Sequence, residues 1–374
     1  PACSDKKNAE PSDAAAAGDS NPSTDAGAGG GALTFVPSNV AAPSFDGLGD
    51  VVITKECIFD TDSGEIDCPG TIEKFPGATF SKVEQTDGSN VGLFAMKSLS
   101  IGASAQVRVI GSIPAVLMAA TTIDVEGNVT TLPAYSESAA GGFVQDPSGH
   151  GGGPGGGDAA LNYTGGGGGA YCGRGGKGGI GNPSGQASNG GAPYGAPDLV
   201  PLLGGASGGG GPAASLDQSG GQGGGALQLT AGMRIRVTTT GRINVGGGAG
   251  HSNGGGAGSG GALLLEAPTV VVAGVLAANG GGGAVFNGGS SGQSGMATET
   301  RALGSVATAG QGSSATDVDG TDGTALPDNA NSAGGGGGGA GRIRVNTTSG
   351  AAMITGKFSP AATTECATQG TLHG

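Results

Sequence analysis

The chain has no tryptophan, and aromatic residues together make up only 3% of its 374 residues. That excludes a conventional globular core, which draws much of its burial from large side chains. Charge is scarce too, at 12%, and basic residues are the minority, 16 Lys and Arg against 29 Asp and Glu. A net charge of −13 argues against nucleic acid and against anionic lipid as partners. His150, His251 and His373 are the only histidines. Each lies in glycine-rich or terminal sequence without a Cys, Asp or Glu at ligand spacing. No G-x-S-x-G elbow stands between a strand and a helix, so no serine triad is read. The cysteines never occur as C-x-x-C, which removes zinc-ribbon and thioredoxin-like chemistry. No apolar run is long enough to cross a membrane as a helix.

What the chain has in excess is glycine, 87 residues of it. Glycine without a period usually means disorder, but disordered chains also carry high charge and low hydropathy. Here charge is low and mean hydropathy is close to zero. Between the glycine tracts one short apolar unit recurs. In Gly258–Gly283, Leu263 and Leu265 alternate toward Ala267, Val270-Val271-Val272 follows, Gly274 breaks the run, and Val275-Leu276-Ala277 resumes it. Relatives of this unit start at Val116, Ala226 and Gly341. Alternation with β-branched enrichment between glycines reads as very short strands separated by bends. Repetition of one such unit is the mark of a quasi-one-dimensional stack.

The expected fold is therefore all-β: a parallel β-helix or solenoid-like stack with long glycine-rich excursions, polyglycine-II-like in form. A β-sandwich with glycine-rich insertions is the alternative. Four parts follow from composition. Residues 1–32 form a tether poor in large apolar groups. Residues 33–140 are β-rich, 141–225 are a glycine-rich region, and 226–374 hold the glycine-rich β repeats. In the 141–225 region the glycines form either elaborate loops over one face or a layer of extended strands. Asp50–Cys68 reads as a hairpin turning at Asp62-Ser63-Gly64. Of the three connectivities open to Cys57, Cys68, Cys172 and Cys366, the local pair Cys57–Cys68 is preferred, which leaves Cys172 for Cys366. Arg234/Arg236 and Arg342/Arg344 each place two cations on one face of a strand, read as a solvated face.

Two local motifs resemble known chemistry. Pro1-Ala2-Cys3-Ser4 resembles the end of a bacterial lipobox, which implies lipidation of Cys3, export, and a membrane partner through that anchor. Ser4 after the cysteine implies the outer membrane. Asp317, Asp319 and Asp322, in DVDGTDG, resemble a calcium loop, and Ca²⁺ is the cation such oxygens would take. No other cofactor is expected.

The repeat over roughly Ala226–Phe358, GGxGGxxxLxAPxVxVxGxLxxNGGGG, resembles glycine-rich surface lipoproteins of gliding, myxobacteria-like Gram-negative bacteria. It implies a non-enzymatic structural or adhesive protein at the cell surface or outside the cell. The expected partners are further copies, in a homo-oligomer or filament, and a surface polysaccharide. A second resemblance, to polysaccharide lyases and hydrolases on β-helix folds, gives the rival expectation of a carbohydrate-active enzyme. Their carboxylate-lined cleft has no counterpart here, where acidic residues are scattered, and no catalytic residue is assigned.

Overall fold

In two of the three main sheets strands form mostly where aliphatic and polar residues alternate, and in the third from near-continuous apolar runs such as Ala115–Ala119; glycine or small residues follow most of them. The computed structural model describes residues 33–374 apart from 70–74, 76, 133–137, 162, 182–184, 213–218, 287–289 and 327–328. Cys3 and the tether at 1–32 lie outside the described residues. Among the described residues the chain is all-β and has no helix.

After an opening pair, Asp50–Ile53 and Glu56–Asp60, and two antiparallel strands, Ile66–Asp67 and Ala78–Glu84, the chain settles into a rota of three sheets. The first round is Asn90–Met96, Ser98–Ile101 and Gln106–Ile110, and the second is Ala115–Ala119, Thr122–Val125 and Asn128–Thr130. The third is Ala226–Ala231, Arg234–Val237 and Arg242–Asn244, and the fourth is Ala262–Glu266, Thr269–Val272 and Val275–Ala277. The fifth is Arg342–Thr347, Met353–Ile354 and Lys357–Ser359, and Ala367–Thr371 follows. The first member of every round joins sheet 1, the second joins sheet 2 and the third joins sheet 3. Each strand pairs in parallel with its counterpart from the adjoining round. Antiparallel pairing occurs at one end of sheets 1 and 3, where Ala78–Glu84 and Ile66–Asp67 close them, and in the separate pair Ala325–Leu326 and Asn329–Ala333.

Parallel register stacks like on like. In sheet 2, Ile53, Ile101, Val125, Val237, Val272 and Ile354 are successive partners. In sheet 3, Cys57, Val107, Val129, Ile243, Leu276 and Phe358 are. Sheet 1 contributes Phe94, Leu117, Leu229, Leu265 and Val345. Side chains from all three sheets meet in one apolar cluster. Leu263, Leu265, Val270, Val272 and Leu276 all belong to it, as the alternation at Gly258–Gly283 requires. Each fully buried aliphatic side chain contributes about 1.5–3 kcal/mol, so stacked ladders substitute for the missing aromatic core. The outer face of sheet 1 is buried as well. Val91, Leu93, Val116, Met118 and Leu264 pack there under Val40, Phe45, Leu199 and Leu202.

The long glycine-rich excursions all leave from strands of sheet 3 and return to sheet 1. Segments of these excursions lie against one another as a layer. Extended segments lie side by side, bonded to one another with a period of three. In 334–341, residues 334, 337 and 340 donate to Thr324, Thr321 and Val318, residues 335, 338 and 341 donate to Ala284, Gly281 and Ala278, and residues 336 and 339 donate to Gly166 and Gly169. The N···O distances are 2.7–3.0 Å. The run 256–261 repeats the pattern with three other neighbours. A backbone that turns once in three residues makes no internal hydrogen bonds, so its amides must find partners outside the segment. Glycine is required because the segments touch. A Cβ on Gly336 would lie 2.0 Å from the carbonyl oxygen of Gly176, and one on Gly338 would lie 1.9 Å from that of Gly258.

Within the layer short side chains accept from some of the backbone amides. Ser207 Oγ accepts from Gly152 N (2.8 Å), Ser219 Oγ from Gly211 N (2.9 Å) and Ser313 Oγ from Gly280 N (2.8 Å). Buried serines of the glycine tracts thus supply acceptors for backbone amides.

Candidate functional site

The layer has one open face with concentrated charge. Segment 173–180 lies between 187–193 and 317–324. It donates to the first through Gly175 N to Gly191 O (3.2 Å) and Gly178 N to Ser188 O (2.9 Å). It accepts from the second through Gly320 N to Arg174 O (2.9 Å) and Gly323 N to Lys177 O (2.8 Å). With three residues per turn, outward positions recur every third residue. They are Arg174 and Lys177 on the central segment, Asn189 and Ala192 on one flank, and Asp319 and Asp322 on the other, all exposed. Asp319 Oδ1 accepts from Arg174 N (2.8 Å) and Asp322 Oδ1 from Lys177 N (2.7 Å), closing the two outward amides of the central segment. A cleft of about 400 Å³ runs over this face, floored by Gly175, Gly190, Gly191 and Gly320. Among the described residues, the side chains of Arg174 and Lys177 make no ion pair.

The three aspartates singled out in the sequence therefore have separate employments. Asp319 and Asp322 lie on one side of an extended segment, ~9 Å apart along it, each with an oxygen on a backbone amide. Asp317 turns elsewhere and meets Arg301 Nη2 at 3.4 Å. Among the described residues no group of three or more His, Cys, Asp or Glu side chains is arranged to hold a metal ion.

Both cysteine pairs are bonded: Cys57 to Cys68 across the first hairpin, with Cα atoms 4.1 Å apart, and Cys172 to Cys366 at 5.6 Å. The second ties the glycine layer to the turn that leads into the last strand of sheet 1. Of the histidines, His150 Nδ1 lies 4.0 Å from Asp158. His251 is half-buried at the end of a glycine segment beside Ser291 Oγ (3.4 Å), and burial holds its pKa below the ordinary histidine value. His373 accepts a backbone hydrogen bond from Val36 through its carbonyl oxygen (3.0 Å).

Nothing in the local sequence points to Glu266. It is fully buried on the outer face of sheet 1. Its carboxylate accepts from Ser38 N (3.1 Å), Ser38 Oγ (2.5 Å), Gln228 Nε2 (2.9 Å) and Asn346 Nδ2 (3.0 Å). Alternation within Ala262–Glu266 puts Glu266 on the outer face, but its donors lie 38, 80 and 228 positions away in the chain. The arginine pairs are likewise more than a solvated face. Arg236 Nε meets Asp124 Oδ1 at 2.7 Å, and that hydrogen bond and charge raise its pKa further. Arg342 lies over the ring of Tyr171, 5.8 Å from its centroid, and burial pushes the phenol's pKa well up.

Compared with family models, curated proteins and solved structures, the chain matches none. No helix among the described residues is long and apolar enough to cross a membrane.

Proposed function

We propose that this chain is a β-solenoid carrying a polyglycine-II-like layer, and that it serves without catalysis as an exported structural or adhesive protein at the cell surface. The observation that carries the reading is the layer itself. Its segments spend their backbone hydrogen bonds on one another, and their glycines leave no room for side chains. Such a body is stiff in three directions. It offers broad, weakly charged surfaces and little side-chain machinery, which suits holding and presenting better than turnover. A lipid on Cys3 would tether it through the 1–32 segment, with the outer membrane as the expected site. Self-assembly with further copies and contact with a surface polysaccharide belong to the same proposal.

Export and anchoring are checked on native cells. Mass spectrometry of the N-terminal peptide should show acyl groups on Cys3, and protease added to intact cells should remove the body. A Cys3 free of lipid together with a protease-inaccessible body would overturn the surface reading. Absence of catalysis is checked separately with a panel of polysaccharides. Release of reducing or unsaturated ends that tracks the purified protein would establish the enzymatic rival instead.

A further inference from the structure

The open face of the glycine layer carries its charge in columns. Arg174 and Lys177 form a cationic column on one segment, and Asp319 and Asp322 form an acidic column on the next. The segments run in parallel, so the columns are in register, each with a repeat of three residues. Neither cation has an ion-pair partner among the described residues, and each carboxylate has only one oxygen engaged with a backbone amide. Beside them lies the cleft of about 400 Å³.

We propose that this face binds a second copy of the chain through a two-fold axis running along the segments. Rotation about an axis midway between the columns lays each cationic column on the other copy's acidic column. The partner's Arg174 meets Asp319, and the partner's Lys177 meets Asp322. The cleft is the room that the partner's two long cationic side chains fill. The contact is isologous, so it closes on a pair and does not propagate. It is locally neutral on a chain whose net charge is −13, so it is a place where two copies can approach without mutual repulsion. The aspartates act in two ways at once. While facing the partner they keep the outward amides of Arg174 and Lys177 closed, so another extended backbone cannot add there indiscriminately. This inference deepens the self-assembly part of the proposed function by naming its surface and its stoichiometry. It would fail in a tube without touching the test on cells.

The test is sedimentation equilibrium of the purified chain over a concentration series at low salt. The expected result is a monomer–dimer equilibrium that shifts to monomer at about 1 M salt, where the Debye length falls to ~3 Å. The double substitution Arg174→Glu with Lys177→Glu leaves the aspartate caps in place and should abolish the dimer. A second variant, Asp319→Lys with Asp322→Lys, should be monomeric alone and form a mixed dimer with the first. If the second variant does not fold, the first variant and the salt series decide. A wild type that stays monomeric throughout, a dimer indifferent to Arg174→Glu/Lys177→Glu, or open-ended assembly without a dimer plateau would each overturn the proposal.

Discussion

Substitution of Gly336 by alanine is the most direct probe of the glycine layer. A methyl group there would sit 2.0 Å from Gly176 O, 2.5 Å from its carbonyl carbon and 2.9 Å from Gly168 N. All of these are backbone atoms, so no side chain can swing aside. Ordinary contact begins at 3.4 Å, so the two segments must part by more than an ångström. One hydrogen bond crosses that junction, Gly176 N to Gly337 O (2.8 Å), and the amide of Gly336 itself bonds the adjoining segment, Gly336 N to Gly166 O (2.9 Å). An unsatisfied buried donor costs about 1–3 kcal/mol, and overpacking adds about 1–3 kcal/mol more. With both donors disturbed, the expected loss is about 3–9 kcal/mol, comparable with the whole stability of a marginal domain. Gly102 is the matched control: a methyl group there meets only Ile53 O, at 3.5 Å, and its φ is not left-handed. Gly102→Ala should be neutral or stabilising by about 0.4–1 kcal/mol through the unfolded chain. Urea unfolding of both variants, with midpoint and slope compared, measures the difference. If Gly336→Ala unfolds at the same midpoint as Gly102→Ala, the layer is not a close-packed lattice and steric contact is not what requires its glycines.

Three further outcomes are expected. Glu266→Ala removes the acceptor of four neutral donors, of which Gln228 Nε2 keeps Thr230 Oγ1, and should cost about 2–5 kcal/mol, seen as a lowered thermal midpoint, whereas Glu266→Gln should lose clearly less. Replacing both members of a disulfide by serine should cost more at Cys172–Cys366, which spans 194 residues, than at Cys57–Cys68, which spans 11. Chain entropy puts the stabilisations at about 5 and about 3 kcal/mol respectively, and denaturant midpoints of the two serine pairs should rank accordingly. His251 has a folded pKa lowered by burial. Its share of stability is therefore present above about pH 6.5, the ordinary histidine value, and is lost as pH falls through the lower folded value. His251→Gln should flatten thermal stability against pH in that window, and an unchanged slope would remove His251 as its source.

The strands were legible because their information is local. Leu263, Leu265, Val270, Val272 and Leu276 alternate in sequence and all point into the shared core. The Cys57–Cys68 pairing followed from a turn short enough to bring the two ends together. The glycine layer was harder, because its period of three resides in the directions of amides and no side chain records it. A run such as Gly334–Gly339 carries no mark of which neighbour each residue will meet. The aspartates are a related case: DVDGTDG has the composition of a cation loop, and the path of the backbone sets Asp317 beside Arg301 while Asp319 and Asp322 close the amides of Arg174 and Lys177. Arg174 and Lys177 carry no local sign of their setting, because their partners lie 145 residues away. Glu266 is the same case in the sheets.

All the long excursions spring from one corner, between sheet 3 and sheet 1, and each goes out and comes back. The register of the ladders does not depend on how far an excursion travels before it returns. The layer can therefore be enlarged by inserting an outgoing and a returning segment together, each a few glycines long. A single unpaired insertion would reverse the direction of return. Length change in this chain should then be tolerated in steps of two segments, at one corner, while point changes inside a segment are not. The molecule is permissive to growth and strict about substitution.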